Sequence, residues 1–376
     1  MEQRNLVLHK IAAGCLIATM IVGGWQWGTA VSRTDTSSIP MGAQDVRKGL
    51  TFSSLEKQWD TRVPWRSTAV MLTSAVRFFL MHSGGKQVKK GIDGWLYLAD
   101  ELRHYDGADQ NLSQRATWIR LIGEQFSKSG IALVVVLVPD KARTYPQYLG
   151  TEAGYPQHNA LRYPTMLSKL AGAGLKVVDV HRTFSLDTSD SWLYYKTDTH
   201  WSQLGAARAA STVATQLRAV GIHGAEEAFS TTYEPAAVAR TGDLVKLMGL
   251  HEASAWLRPQ DDVEAPATTL ANPAFGSTSL LGDMEVPVVL VGTSFSLRGN
   301  FHGYLQDATG VPVLNAAKDG SGFIQSLQQY LASEAFASSK PRAVVWEIPE
   351  RFLTMPTHED AVTFEQLVKE LEPQRK

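Results

Sequence analysis

"IALVVVLV", residues 131–138, is an unbroken apolar run rich in β-branched side chains. A strand with one wet face alternates apolar and polar residues. A run without alternation belongs to a strand covered on both faces, as in a parallel sheet. Its neighbours extend that reading. "ATWIRLIGEQFSKSG" (116–130) before it is amphipathic and ends at Gly130, a helix stop. After it, "LRYPTMLSKLAGAG" (161–174) reads as a helix leading to the strand "LKVVDV" (175–180), and "QLGAARAASTVATQLRAVG" (203–221) as a long helix. "VPVVLVG" (286–292), "VPVLNA" (311–316) and "RAVVWEI" (342–348) are three more apolar strands, with "FIQSLQQYLASEAF" (323–336) as a helix between the last two. Alternation of strand and helix predicts an α/β domain with a mostly parallel sheet between two helical layers. Residues 222–280 break the alternation and read as an insertion or small subdomain near the active face.

The chain has 376 residues, long for one core of ~100–200 residues. Hydrophobic residues make up 44% and charged residues 19%, the balance of a globular protein. A formal net charge of −1 argues against a nucleic-acid binder. Cys15 is the one cysteine, so no intramolecular disulfide forms. A Cys/His zinc site or HExxH is equally absent, and neither a metal nor a cofactor is predicted. Residues 11–32 carry no charged side chain, follow Arg4 and Lys10, and contain Trp25 and Trp27. As a helix they would reach ~33 Å, enough for a bilayer core of ~30 Å. Basic residues before the span put the N-terminus in the cytoplasm and the bulk of the chain outside. A signal peptide cut near Gly28-Thr29-Ala30 is the rival, and both readings export the rest. The expected organisation is an anchor or signal over 1–32, a linker with a helical lead-in over 33–85, a catalytic domain over 86–360 and a helical tail over 361–376.

Ligands of open α/β sheets bind at the carboxyl ends of the strands. "VPVVLV" runs there directly into "GTSFSLRGN" (292–300). Gly, a small residue and Ser at a strand end suit a nucleophile on a tight turn, with Ser294 as first candidate and Ser296 as second. The bland reading is a polar turn or helix cap. Asp198 and His200 shift that balance. In an extended segment they point the same way, so the carboxylate fixes one imidazole nitrogen and leaves the other to a serine. Thr199 is then a spacer, and Ser202 caps the helix that follows. The alternative is a solvated turn with an incidental Asp–His contact.

"YYKTDTHWSQLGA" (194–206) resembles the Asp-x-His segment of the AlgJ/AlgX group of polysaccharide O-acetyltransferases, which are SGNH-hydrolase-like. "KGIDGWLYL" (90–98), "VPDKARTYPQYL" (138–149), "VGTSFSLRGNF" (291–301) and "VVWEIPERFL" (344–353) resemble further segments of that group, in the same order. The N-terminus is more similar to the membrane-anchored AlgJ form and its cellulose-acetylation relatives. The resemblance implies a three-layer SGNH-like fold behind a transmembrane helix, with Ser294 as nucleophile, His200 as base and Asp198 as its orienter. It also implies an exopolysaccharide acceptor (alginate or cellulose), a membrane-bound O-acyltransferase as acetyl donor, and other secretion proteins as partners at the inner membrane. Two features depart from ordinary SGNH hydrolases. The acid–base motif is Asp-x-His, and the Gly and Asn blocks of the oxyanion hole have no match, leaving Asn300 or the Ser294 N–H to substitute.

Other polar residues carry two readings each. Asp140, Lys141 and Tyr145 either bind substrate or form a strand-end ion pair or turn. Glu347 and Arg351 form a salt bridge or a cleft wall. Arg298 meets a sugar carboxylate or lies on the surface. Trp201 stacks on a sugar ring or seals the base from water. His181 and His302 are structural or exposed. Three functions remain open on the sequence: an O-acetyltransferase, an acetylesterase with the same triad, and a non-catalytic scaffold of the secretion complex.

Overall fold

The computed structural model describes residues 66–151, 154–276 and 286–371, with scattered positions between 21 and 55 before them. The chain divides into two units, 1–74 and 75–376. In the first, the short helix Ala43–Arg47 is described, and the Thr51 hydroxyl donates to the Pro40 carbonyl at 2.6 Å. The expected membrane span over 11–32 lies for the most part outside the described residues. Among those described, no helix is long and apolar enough to cross a membrane.

Beyond the helix Arg66–Leu80, the second unit continues with a hairpin of β1 (Val88–Lys90) and β2 (Leu96–Leu98), paired antiparallel. Asp93 and Gly94 turn it, both with positive φ, and the Trp95 N–H donates to the Ile92 carbonyl at 2.9 Å. That is the turn an Asp-Gly pair favours between strands. Five parallel strands then build the central sheet: β3 (Ala132–Val138), β4 (Lys176–Asp179), β9 (Val288–Val291), β10 (Val313–Asn315) and β11 (Ala343–Pro349). Their spatial order is β10-β9-β11-β3-β4. β11 pairs along its full length with β3, from Ala343 opposite Ala132 to Pro349 opposite Val138.

The unbroken apolar runs are explained by two cores, one on each face. Val134, Val136, Val138, Val288, Leu290 and Val345 point into one; Leu133, Val135, Leu137, Val289, Val344 and Trp346 point into the other. Alternate residues of each strand thus serve opposite layers. The first face is covered by α3 (Gln203–Ala219) and α4 (Phe301–Thr309), the second by α1 (Ala108–Lys128), α2 (Arg162–Gly172), α5 (Gln325–Leu331) and α6 (His358–Leu371). Small side chains on α3 (Gly205, Ala206, Ala209, Ala210) let it approach closely. Ser202 caps α3, its hydroxyl accepting from the Gly205 N–H at 3.2 Å, as expected.

Two elements differ from the sequence reading. The helix expected over 323–336 is broken: α5 stops at Leu331, and Ser333 caps a separate turn, Glu334–Ser338, by accepting from Phe336 N–H. Serine competes for helix N–H groups and so favours a new start over continuation. Residues 229–271 form two antiparallel pairs, β5 (Phe229–Tyr233) with β8 (Ala267–Ala271) and β6 (Val238–Arg240) with β7 (Asp262–Glu264), around the helical turn Asp243–Leu247.

Candidate active site

β9 ends at Val291, and the chain leaves the sheet through Gly292, Thr293 and Ser294. Glu347 of the adjoining strand β11 supports this turn. Each fully buried apolar side chain in that strand stabilises the fold by ~1.5–3 kcal/mol. A buried, unpaired carboxylate would cost several kcal/mol, so Glu347 needs partners. It accepts from Thr293 N–H at 2.7 Å, from the Thr293 hydroxyl at 3.0 Å and from the Ser296 hydroxyl at 3.0 Å. Burial raises its pKa, and these donors only partly oppose the shift. Gly292 is required by space: a Cβ there would lie 2.6 Å from Glu347 Oε2 and 3.0 Å from its carbonyl oxygen. Ser296 is buried with its hydroxyl committed to Glu347, which removes it as a nucleophile candidate. Ser294 is half-buried, and its Oγ lies 2.7 Å from His200 Nε2.

His200 lies in a bent loop and not in an extended segment. The loop is closed by an antiparallel bridge between Tyr194 and Trp201 and by Ser202 N–H donating to the Leu193 carbonyl at 2.9 Å. The two-residue spacing works through an Asx turn. Asp198 Oδ1 accepts from the His200 backbone N–H at 3.0 Å and lies 2.6 Å from His200 Nδ1. A carboxylate can only accept, so Nδ1 carries the proton and the Nε2 lone pair faces the Ser294 hydroxyl. The other oxygen, Asp198 Oδ2, accepts from Arg240 Nη2 and from Asp243 N–H, both at 3.0 Å. Burial pushes the Asp198 carboxyl up, but His200 and Arg240 together outweigh it and hold the group well below the usual carboxylate range.

The loop is held from both sides. Lys141, fully buried, donates to the carbonyls of Asp198 at 2.6 Å, Tyr195 at 3.1 Å and Lys196 at 3.3 Å. Asp262 accepts from Lys196 N–H at 2.8 Å and Thr197 N–H at 3.0 Å. Thr199 is more than a spacer, because its N–H donates to Asp243 Oδ1 at 2.7 Å. Gly242 lets the 229–271 segment reach the loop, since a Cβ there would fall 2.0 Å from the Thr197 carbonyl oxygen. Arg240, Asp243 and Asp262 escape a sequence reading because no motif marks them. Asp198, His200 and Asp243 hold ligand-type atoms within 4.8 Å of one another. Both Asp198 oxygens are already taken by four donors, so the cluster fits a hydrogen-bonded relay better than a metal cage.

The remaining candidates separate clearly. Asn300 precedes α4 at its N-cap position with no side-chain capping bond, and it donates through Nδ2 to the Thr269 hydroxyl at 2.9 Å, away from an oxyanion. No hydrogen bond among the described residues occupies the Ser294 N–H. Trp201 is fully buried against Phe295 and Phe301, which fits sealing and not sugar stacking. Arg298 pairs with Asp319 at the surface at 2.7 Å. Tyr145 sits in a cluster with Trp95 and Trp192, its hydroxyl accepting from Leu193 N–H at 2.9 Å. Glu347 is buried under the turn, and among the described residues no ion pair within 4.0 Å joins it to Arg351, whose charge nonetheless favours its ionised form. Arg351 lies over the Phe295 and Phe352 rings, 5.6 and 4.9 Å from their centroids, with no hydrogen-bond partner among the described residues. Asp140 is tied to Arg162 and the Tyr155 hydroxyl in a buried ion-pair network, as a strand-end role requires. His181 rests against the Tyr163 ring, and His302 Nε2 lies 2.7 Å from the Val313 carbonyl oxygen.

Comparison with known proteins agrees with this architecture. Residues 88–350 match the family model described as the SGNH hydrolase-like domain of the acetyltransferase AlgX. Over 355 residues the chain is 30% identical to a protein of Azotobacter vinelandii named "Probable alginate O-acetylase AlgJ", covering 93% of this chain and 89% of that one. Among solved structures, the O-acetyltransferase domain of Pseudomonas putida AlgJ superposes with a TM-score of 0.65 at 31% identity, covering 75% of this chain and 98% of that one. Pseudomonas aeruginosa AlgX shares the fold, with a TM-score of 0.58 at 23% identity over 80% of this chain and 73% of that one. A parallel sheet between two helical layers, a serine turn at the end of β9 and a family match over most of the second unit lead to one assignment: the chain belongs to the AlgX family of SGNH-hydrolase-like acetyltransferases.

Proposed function

We propose that this protein is a periplasmic O-acetyltransferase that esterifies hydroxyl groups of a secreted polysaccharide through an acetyl-Ser294 intermediate. The observation that carries the reading is the linear relay Ser294 Oγ–His200 Nε2 at 2.7 Å and His200 Nδ1–Asp198 Oδ1 at 2.6 Å. His200 takes the Ser294 proton as Oγ attacks the acetyl carbonyl of an activated donor. The donor's leaving group departs with that proton, and acetyl-Ser294 remains. A sugar hydroxyl then gives its proton to His200 and attacks the same carbonyl, and Ser294 leaves reprotonated. Asp198 stays ionised throughout and stabilises the transient imidazolium. The free Ser294 N–H is the candidate oxyanion donor.

The relatives' alginate O-acetylase names support an acceptor of the polysaccharide class. An acetyl group for an exported enzyme would arrive through a membrane-bound O-acyltransferase, and residues 11–32 would anchor the chain in the inner membrane. Incubation with an activated acetyl ester and an oligosaccharide tests the transfer. The reading predicts acetylated sugar as product and a loss of at least ~10³-fold in Ser294→Ala. Acetate alone, across varied acceptors, would make the protein an esterase instead.

A further inference from the structure

A cavity of about 710 Å³ among the described residues does not include Ser294 or His200 in its lining. It lies between the Asp-x-His loop and the 229–271 segment. Tyr195, Gln203, Tyr233, Glu264 and Tyr304 line it. We propose that this cleft holds a stretch of an uncharged saccharide chain and excludes a polyuronate. The inference rests on the acetyltransferase reading for the role of that chain as acceptor.

Three observations carry it. First, the aromatic content is accessible: Trp192 and Tyr233 line the cavity and remain 41% and 59% exposed. Aromatic rings stack on the C–H faces of pyranose rings while leaving their hydroxyls to polar neighbours. Second, Gln203 is 8% exposed, lines the cavity, and its amide oxygen has no hydrogen-bond partner although its nitrogen donates to the Ala265 carbonyl at 2.7 Å. Turned toward the cleft, such an orphaned acceptor would be satisfied by a sugar hydroxyl. Third, the charge is one-sided. Asp93, Asp190, Asp262 and Glu264 line the cavity against Lys196 alone, and Asp261 is paired with Arg258. Carboxylates accept from sugar hydroxyls but repel the carboxylates of a uronic-acid polymer.

The cleft is also wired to the relay. Glu264 accepts from the Tyr195 hydroxyl and from Gln203 N–H, Asp262 accepts from two loop N–H groups, and Arg240 lies 4.1 Å over the Tyr195 ring while bonding Asp198. Chain held here would be anchored beside the acid–base loop, which suits processing of a polymer better than of a free monosaccharide.

Calorimetric titration of the Ser294→Ala protein separates binding from turnover. The probes are a β-1,4-linked glucose hexamer and an oligomannuronate of equal length. The proposal predicts saturable binding of the neutral hexamer, at least fivefold weaker in Ser294→Ala/Tyr233→Ala, and no measurable binding of the uronate. Because Asp190 is exposed and lies outside the Asp93-Gly94 turn, Asp190→Lys in the same background tests the charge argument without threatening the fold. It should admit the uronate while keeping the neutral hexamer. Equal or tighter uronate binding by the unreversed cleft would overturn the proposal, as would an unchanged affinity in the Tyr233 variant. Neither result bears on ester hydrolysis by the wild-type relay, so failure of the cleft and failure of the catalytic reading are told apart.

Discussion

Asp198 concentrates the electrostatics of the site. Its carboxyl titrates well below its ordinary value of 3.8, whereas burial and the charge of Asp198 raise that of Asp243. Asp198 therefore ionises first of the pair, and Asp243 acts as an acceptor for Thr199. A depressed folded pKa contributes stability that is present above the unfolded value and is lost as pH falls through the folded one. The stability difference between wild type and Asp198→Asn should accordingly be flat from neutral pH down to about 4 and shrink below it, as followed by denaturant melts. Acetyl transfer should fall by about 10⁴-fold in Asp198→Asn, whose amide supports the wrong tautomer. Asp243→Asn keeps the oxygen that Thr199 uses and should retain activity within about threefold. Ser294, His200 and Asp198 were legible because a strand-end Gly-x-Ser and an Asp-x-His are local patterns. Arg240 and Asp243 were not. They reach Asp198 across 42 and 45 residues of sequence, from a stretch with no helical or strand period.

At the scale of elements, the sheet was readable and the loops were not. The central strands β3, β9 and β11 were readable because burial on both faces leaves no choice of period, and the edge strands β4 and β10, each with an exposed residue, followed from the alternation of strand and helix. The Asp-x-His segment read as extended because two-residue spacing has that meaning in a strand. In the protein the same spacing comes from an Asx turn, a geometry that depends on Lys141 and Asp262 gripping the loop. Within β11, Glu347 is a scaffold for the serine turn. Its raised pKa means that the folded state binds the proton more tightly, so its contribution to stability declines as pH rises from its ordinary 4.5 toward the folded value. Glu347→Gln abolishes that decline, and its oxygen can still receive Thr293 N–H. The variant should melt at or above wild type at neutral pH and keep activity. Glu347→Ala leaves a buried N–H unpaired and a cavity beside it, and should lose ~2–4 kcal/mol by denaturant unfolding.

Taken whole, the molecule separates its stability from its chemistry. The two cores that flank the sheet are built almost entirely from residues outside 229–271; Ala267 is the one side chain from that segment packed on them. Yet the segment supplies Arg240, Asp243 and Asp262 to the Asp-x-His loop. Its ends are adjacent, with Asn272 N–H donating to the Ala228 carbonyl at 2.9 Å. Replacing 229–271 by a short Gly/Ser linker should leave a cooperative thermal transition and near-native circular dichroism while abolishing acetyl transfer. A non-cooperative melt would show that the segment belongs to the fold itself.

The central claim is that Ser294 carries the acetyl group. Mass spectrometry of peptides from enzyme quenched during turnover of an activated acetyl ester, without sugar acceptor, tests it most directly. The account predicts one acetyl on the peptide containing Ser294, mapped to that residue, absent from Ser294→Ala and discharged when oligosaccharide is added. Acetyl transfer that continues with no adduct at Ser294, or with the adduct on another residue, would contradict it.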